Sequence, residues 1–198
     1  MEFEQQDQRV VETIRLPLWG GVVPADGATP WLMVDGLGHP VEAVTIFLCD
    51  LTARGRSAGT ARSYAMALLR WWRFLNAVDV SWERAAPAEV RDLVLWLTYA
   101  AKPIAARRTA SRPTAGRINP VTRKSHLGDG YGPATIRHNN AVLRAFYDFW
   151  LERGGGPLIN PVPVERSRGG RANRHHNPMT PFRVEGRLRY NPRAPAKS

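Results

Sequence analysis

Apolar positions recur at helical spacing through the middle of the chain, most clearly from Ser57 to Val78, SAGTARSYAMALLRWWRFLNAV. At 100° per residue, Tyr64, Leu68, Trp71, Leu75 and Val78 fall within an arc of about 80°, which predicts an amphipathic helix. Arg62 and Arg73 lie about 20° apart on the opposite side, with Arg70 beside them. One face is suited to a hydrophobic core and the other to anions. Ser57 and Thr60 offer capping hydroxyls at the start, and Asn76 with Asp79 closes the run. Taken alone, this helix fits a solvated basic surface equally well.

The same periodicity predicts three more helices. Val41, Val44, Leu48 and Leu51, with Phe47 alongside, mark one that follows Pro40 and ends at Gly55. Another runs from Pro87 to about Ala101 on a stripe of Val90, Leu93, Val94 and Leu97; Pro87 suits a first helical position, and Glu89 and Asp92 suit the positive end of the dipole. The last opens at Gly132-Pro133, clusters Ile136, Leu143, Phe146, Tyr147 and Trp150 on one side with Arg137 and Arg144 together on a flank, and stops at Gly154-Gly155-Gly156-Pro157. Residues 1–39 read as extended or irregular, with Trp31 to Val34 a short strand before an Asp35-Gly36 turn and the apolar piece Val10 to Leu18 as its hairpin partner. Residues 102–132 hold no sustained period and read as a long basic loop. Residues 157–198 contain seven prolines and nine Arg or Lys residues, the composition of an extended basic linker.

Charge sharpens the picture. The net charge of +11 arises from 28 basic and 17 acidic residues, and it is unevenly placed. Residues 1–53 hold 2 basic and 8 acidic side chains, residues 54–153 hold 17 and 7, and residues 154–198 hold 9 and 2. An acidic head on a basic body points to a polyanionic partner, most often nucleic acid. Of the 28 basic residues, 25 are Arg; a GC-rich genome explains that choice over Lys but not the excess over carboxylates. Cys49 is the single cysteine, so an intrachain disulfide and a Cys-based zinc site are excluded. No apolar run approaches membrane-spanning length, and the acidic start lacks a signal peptide's basic and apolar regions. A soluble cytoplasmic protein without membrane contact is expected.

The segments SAGTARSYAMALLRWWRFL and GPATIRHNNAVLRAFYDFW resemble the two most characteristic helices of the core-binding domain of tyrosine recombinases, the phage-integrase type. The first resembles a Ser/Thr-x-x-Thr-x-x-x-Tyr start running into an aromatic end, the second a Thr-Ile, polar residues, Leu-Arg and aromatic positions. The resemblance covers about residues 40–153. It implies an all-α fold: a four-helix SAM-like bundle with an extended N-terminal segment (1–39) and a disordered basic C-terminal tail (154–198). It also implies that the bundle is one half of a clamp on double-stranded DNA, with self-association on DNA left open. The DNA-contacting positions it implies are Thr60, Arg62, Ser63 and Arg70 on one helix and Thr135, Arg137, His138 and Arg144 on the other. Arg offers a bidentate fork for phosphate or guanine, and helix N-termini favour phosphate.

The family's catalytic residues have no counterpart pattern here. No His-x-x-Arg occurs: Arg174-His175-His176 lacks the spacing, and Ala141 stands three residues after His138. Tyr190 sits in a Pro/Arg-rich stretch with no helical period to hold a nucleophile. His175-His176 has only Glu165 and Glu185 nearby, so no metal site is expected. Gly154 to Gly156 follow a helix, unlike a phosphate loop, and no cofactor is expected. The chain therefore reads as the DNA-binding part of a recombinase without its catalytic domain, ending in mid-linker as a truncated protein, and as no enzyme itself. The alternatives are a helical protein-interaction module, with the basic charge incidental, and a stand-alone helix-turn-helix regulator, which the lack of a tight Gly turn between the second and third helices disfavours.

Overall fold

The computed structural model describes residues 9–100 and 130–165, together with Arg187, Leu188 and Tyr190. Its centre is the long amphipathic helix read from the sequence. Ser57 stands with extended backbone at the N-cap of α2 (Ala58–Ala77), and its Oγ accepts the Thr60 N–H at 3.2 Å. Around α2 lie α1 (Glu42–Ala53), α3 (Pro87–Tyr99) and α4 (Pro133–Glu152). Each helix buries the stripe that its periodicity marks: Val44, Phe47, Leu48 and Leu51 on α1, Val90, Leu93, Val94 and Leu97 on α3, and Ile136, Leu143, Phe146 and Tyr147 on α4. The mostly-α class and the SAM-like four-helix arrangement expected from the sequence are what is observed.

Aromatic rings dominate the core. Phe146 meets Phe47, Trp72 and Trp82 edge-on, each at a centroid distance of 5.4 Å, a geometry in which ring edges face electron-rich faces. Beside it, Trp71 and Tyr147 are fully buried. Their polar atoms are not stranded. The Trp71 indole N–H donates to the Tyr147 hydroxyl at 2.9 Å, and that hydroxyl donates to the Trp82 carbonyl at 3.0 Å. One relay thus joins α2, α4 and the short helical turn Trp82–Arg84 that leads into α3.

The N-terminal segment is more ordered than its composition implies. The strand Trp31–Val34 (β2) pairs antiparallel not with Val10–Leu18 but with Gly21–Pro24 (β1), in the register Gly21↔Val34 to Pro24↔Trp31. Gly20 explains the difference. It adopts φ +60°, and a Cβ there would lie 2.2 Å from the Val34 carbonyl oxygen, so the chain turns at this point where only glycine fits. Residues 9–16 instead run along α3. Arg9 donates to Glu89 at 2.6 Å and sits 3.5 Å from Asp92, both carboxylates being buried, and this pairing holds the Arg9 guanidinium above its ordinary pKa. The Trp96 indole N–H donates to the Ile14 carbonyl at 3.0 Å.

The C-terminal stretch also departs from expectation. From Pro157 the chain folds back along α4 as a strap. Asn160 donates to the Arg144 carbonyl and to Asp148, its own side-chain oxygen accepts the Val162 N–H, and Val162 is buried. Val164–Glu165 (β3) pairs antiparallel with Arg187–Leu188 (β4), and the Tyr190 carbonyl accepts from buried Asn140. Proline content favours extended backbone but does not say whether that backbone lies on a surface; Asn160 and Val162 settle it through partners on α4. Most of the expected basic loop, residues 102–129, and of the expected tail, residues 166–186 and 191–198, lie outside the described residues.

Burial pushes the Tyr147 hydroxyl far above its ordinary pKa of 10.0. In the unfolded chain this hydroxyl ionises near its ordinary value, while in the fold it stays protonated. Above about pH 10 the unfolded state therefore binds fewer protons, and this group's contribution to stability falls by about 1.4 kcal/mol per pH unit. Tyr147→Phe leaves the Trp71 N–H and Trp82 carbonyl without their partner and is expected to cost about 1–3 kcal/mol at neutral pH. Denaturant titrations should show that deficit narrowing as pH rises past about 10, because the variant lacks the alkaline term. A deficit independent of pH would show that the hydroxyl is not held neutral.

Candidate nucleic-acid interface

The N-terminal halves of α2 and α4 lie against one another, and a polar contact joins their exposed sides. Ser63 Oγ and His138 Nε2 share a hydrogen bond of 2.8 Å, and the His138 ring meets Tyr64 edge-on at 5.8 Å. Arg62 and Arg137, next to these residues in sequence, are both exposed. Thr60, half-buried in the first turn of α2, bonds its hydroxyl to Ser57 at 3.0 Å. Thr135 occupies the first turn of α4 and lines a cleft with Met66, Arg70 and Tyr131. Arg70 donates to Asn139 at 2.7 Å and lies 5.2 Å over the Tyr131 ring.

Six of the eight residues implied by the resemblance thus gather on the adjoining N-terminal halves of two helices, and Arg70, one turn further along α2, reaches α4 through Asn139. The eighth does not. Arg144 donates from one terminal nitrogen to the Val162 carbonyl at 2.8 Å, and its Nε lies 3.5 Å from Asp148. The strap meets its flank of α4, so Arg144 is engaged within the chain while Arg137, two turns away on the same flank, is exposed. Arg73 is engaged as well. The helical wheel places it on the anion-attracting face, yet it donates to the Trp19 and Gly20 carbonyls at 2.7 and 2.9 Å. Burial, with repulsion from Arg70, holds its guanidinium below the ordinary pKa.

Electrostatics of the remaining surface are one-sided. α2 contains no Asp or Glu, and the first carboxylate of α4 is Asp148, in its C-terminal half. The first turns of α1 and α3 carry Glu42 and Glu89, whereas those of α2 and α4 carry no acid. The positive ends of α2 and α4 are therefore not neutralised from within their own first turns. Sequence reasoning missed two aromatic partners of the basic side chains, Tyr131 under Arg70 and Trp31 under Arg62. Both stand outside the helices, where no helical period marks them.

Replacing Arg144 by Gln removes a charged donor from the Val162 carbonyl and is expected to cost about 1–2 kcal/mol, since the side chain keeps partial contact with water. Amide exchange in residues 160–165 should quicken while that of Arg62 and Arg137 stays unchanged. Unaltered protection in the strap would show that Arg144 does not hold it.

Residues 44–115 match the family model described as phage integrase, N-terminal SAM-like domain. The match takes in α1 from Val44 onward, all of α2 and α3, and ends before α4. Comparison with curated proteins and with solved structures finds no match. Among the described residues no helix is long and apolar enough to cross a membrane. The stretch 44–115 is thus similar to the phage integrase N-terminal SAM-like domain, the family that the sequence of α2 and α4 resembles.

Proposed function

We propose that this chain binds double-stranded DNA through the joined N-terminal halves of α2 and α4, as the core-binding part of an integrase-type recombinase. The observation that supports this most is the surface on which Arg62, Ser63, Arg137 and His138 stand exposed around one interhelical hydrogen bond. Ser63 and His138 offer hydrogen-bonding side chains to phosphate oxygens, and the two arginines offer forks for phosphate or guanine edges. Arg70 and Thr135 extend the same surface toward Tyr131. The first turns of both helices, free of acids, favour a phosphate close by. The match of residues 44–115 to the phage integrase N-terminal SAM-like domain supports a role in recombination.

In this reading the chain holds DNA without cutting it. Tyr190 is half-buried against the core with its carbonyl bound by Asn140, and the sequence contains no His-x-x-Arg. A helical protein-interaction module has one observation in its favour, an apolar cleft of 410 Å³ between the N-terminal arm and α2, lined by Leu16, Leu18, Met66, Leu69 and Trp96. Binding of that kind would depend far less on salt than phosphate binding does.

Replacing Arg62, Arg70 and Arg137 together by Gln should flatten the slope of log K against log salt for duplex binding, by about 0.9 for every phosphate no longer neutralised. Arg144→Gln should leave that slope unchanged. A triple variant with wild-type affinity and slope would move the binding surface elsewhere on the molecule. Separately, incubation with nicked suicide duplexes should yield no covalent protein–DNA adduct on a denaturing gel. An adduct abolished by Tyr190→Phe would show that the chain carries cleavage chemistry.

A further inference from the structure

The Arg62 guanidinium carbon lies 5.1 Å from the centre of the Trp31 ring. Arg62 is exposed and has no hydrogen-bond partner or carboxylate neighbour among the described residues, so this ring is its one close partner there. Trp31 is not a chance neighbour on a loose loop. It ends the ladder of the β1–β2 hairpin opposite Pro24, and its carbonyl accepts the hydroxyl of buried Thr29 at 3.2 Å. Two residues on, Met33 is fully buried in the core and its carbonyl accepts the Val41 N–H at 2.9 Å. At the other end of the hairpin, Arg73 of α2 grips the Trp19 and Gly20 carbonyls. The hairpin is therefore fixed to α2 at one end, to the core beneath, and meets Arg62 at its tip.

A long arginine side chain in water samples many rotamers, and ordering it on a ligand costs free energy that binding must offset. An aromatic face beneath the guanidinium removes part of that cost, because the π-face attracts the cation while leaving its N–H groups in the ring-parallel plane to hydrogen-bond outward. From this geometry we infer that Trp31 is a positioning residue for nucleic-acid binding. It holds Arg62 ready for a phosphate or a base edge, and so brings the β1–β2 hairpin into the interface that the helices form. The inference rests on the proposed α2–α4 surface and adds to it a part of the chain, residues 21–34, that lies outside the stretch matching the family model.

The test is a double-mutant cycle on duplex binding with the full chain. Trp31→Leu should weaken binding roughly two- to tenfold, the cost of leaving one such side chain unordered. Trp31→Phe, which keeps an aromatic face, should recover most of the loss. In an Arg62→Gln background, Trp31→Leu should have no further effect. An NMR readout of the free protein checks the geometry: the Arg62 Nε–H signal should carry a ring-current shift that Trp31→Leu abolishes. An unchanged affinity for Trp31→Leu overturns the inference. So does an equal loss in the Arg62→Gln background, which would mean the tryptophan acts only by stabilising the hairpin. Arg137→Gln separates this from the parent reading. If it flattens the salt slope while Arg62→Gln and Trp31→Leu do nothing, only the positioning role fails; if none of the three changes binding, the α2–α4 surface fails with it.

Discussion

A buried indole N–H and a buried phenol must each find a partner or cost the fold a stranded donor, and in this chain they find each other. Trp71 donates to Tyr147, which donates in turn to the Trp82 carbonyl. Because hydrogen bonds are directional whereas apolar contact is not, this relay fixes how far α2 may slide along α4. Ser63 and His138 lie about two helical turns toward the N-termini from Trp71 and Tyr147. The register set in the dry core is thus the register in which their side chains meet at the surface. Aromatic packing around Phe146 adds contact that is less directional, and a slipped bundle would keep much of it and lose the relay.

The arginines of the two central helices illustrate how one residue type divides into separate tasks. Arg73 and Arg144 commit donors to backbone carbonyls of segments that would otherwise leave those carbonyls facing protein without a partner. Arg70 is shared between Asn139 and the face of Tyr131. Arg62 and Arg137 are exposed and have no hydrogen-bond partner among the described residues. A guanidinium with five donors suits all of these roles, so residue identity does not separate them. What separates them is whether another part of the chain lies across that sector of the helix.

That is also the limit of what is legible in the sequence. Period 3.6 locates all four helices, because each buries a stripe and the capping and breaking residues Ser57, Pro87, Pro133 and Gly154 stand where the pattern begins or ends. It gives the outward angle of Arg73 correctly and its environment wrongly, since the covering segment at Trp19 and Gly20 is more than fifty residues away. The hairpin partner is misread for a similar reason: Val10–Leu18 is the more apolar stretch, yet the turn at Gly20 selects Gly21–Pro24. The strap after Pro157 is hidden by composition, as proline describes the backbone and not its neighbours. Short polar residues inside it, Asn160 above all, carry the information that it docks.

The attachments of the N-terminal arm span great lengths of chain. Arg9 waits for Glu89 and Ile14 for Trp96, separations of 80 and 82 residues, and Ala43 at the start of α1 waits for Trp150, a separation of 107. During synthesis the arm, the hairpin and α1 leave the ribosome before α3 and α4, which carry these partners. Local helices such as α2 form quickly, whereas contacts across such distances close late because the intervening loop must first lose its freedom. For a stretch of translation the nascent chain therefore presents Val11, Trp19 and Trp31 uncovered, a window in which a ribosome-associated chaperone has something apolar to hold. The last of these closures is set by the emergence of Trp150 at the end of α4, so the arm's anchorage to α3 precedes by some fifty residues the point at which the bundle can complete its core.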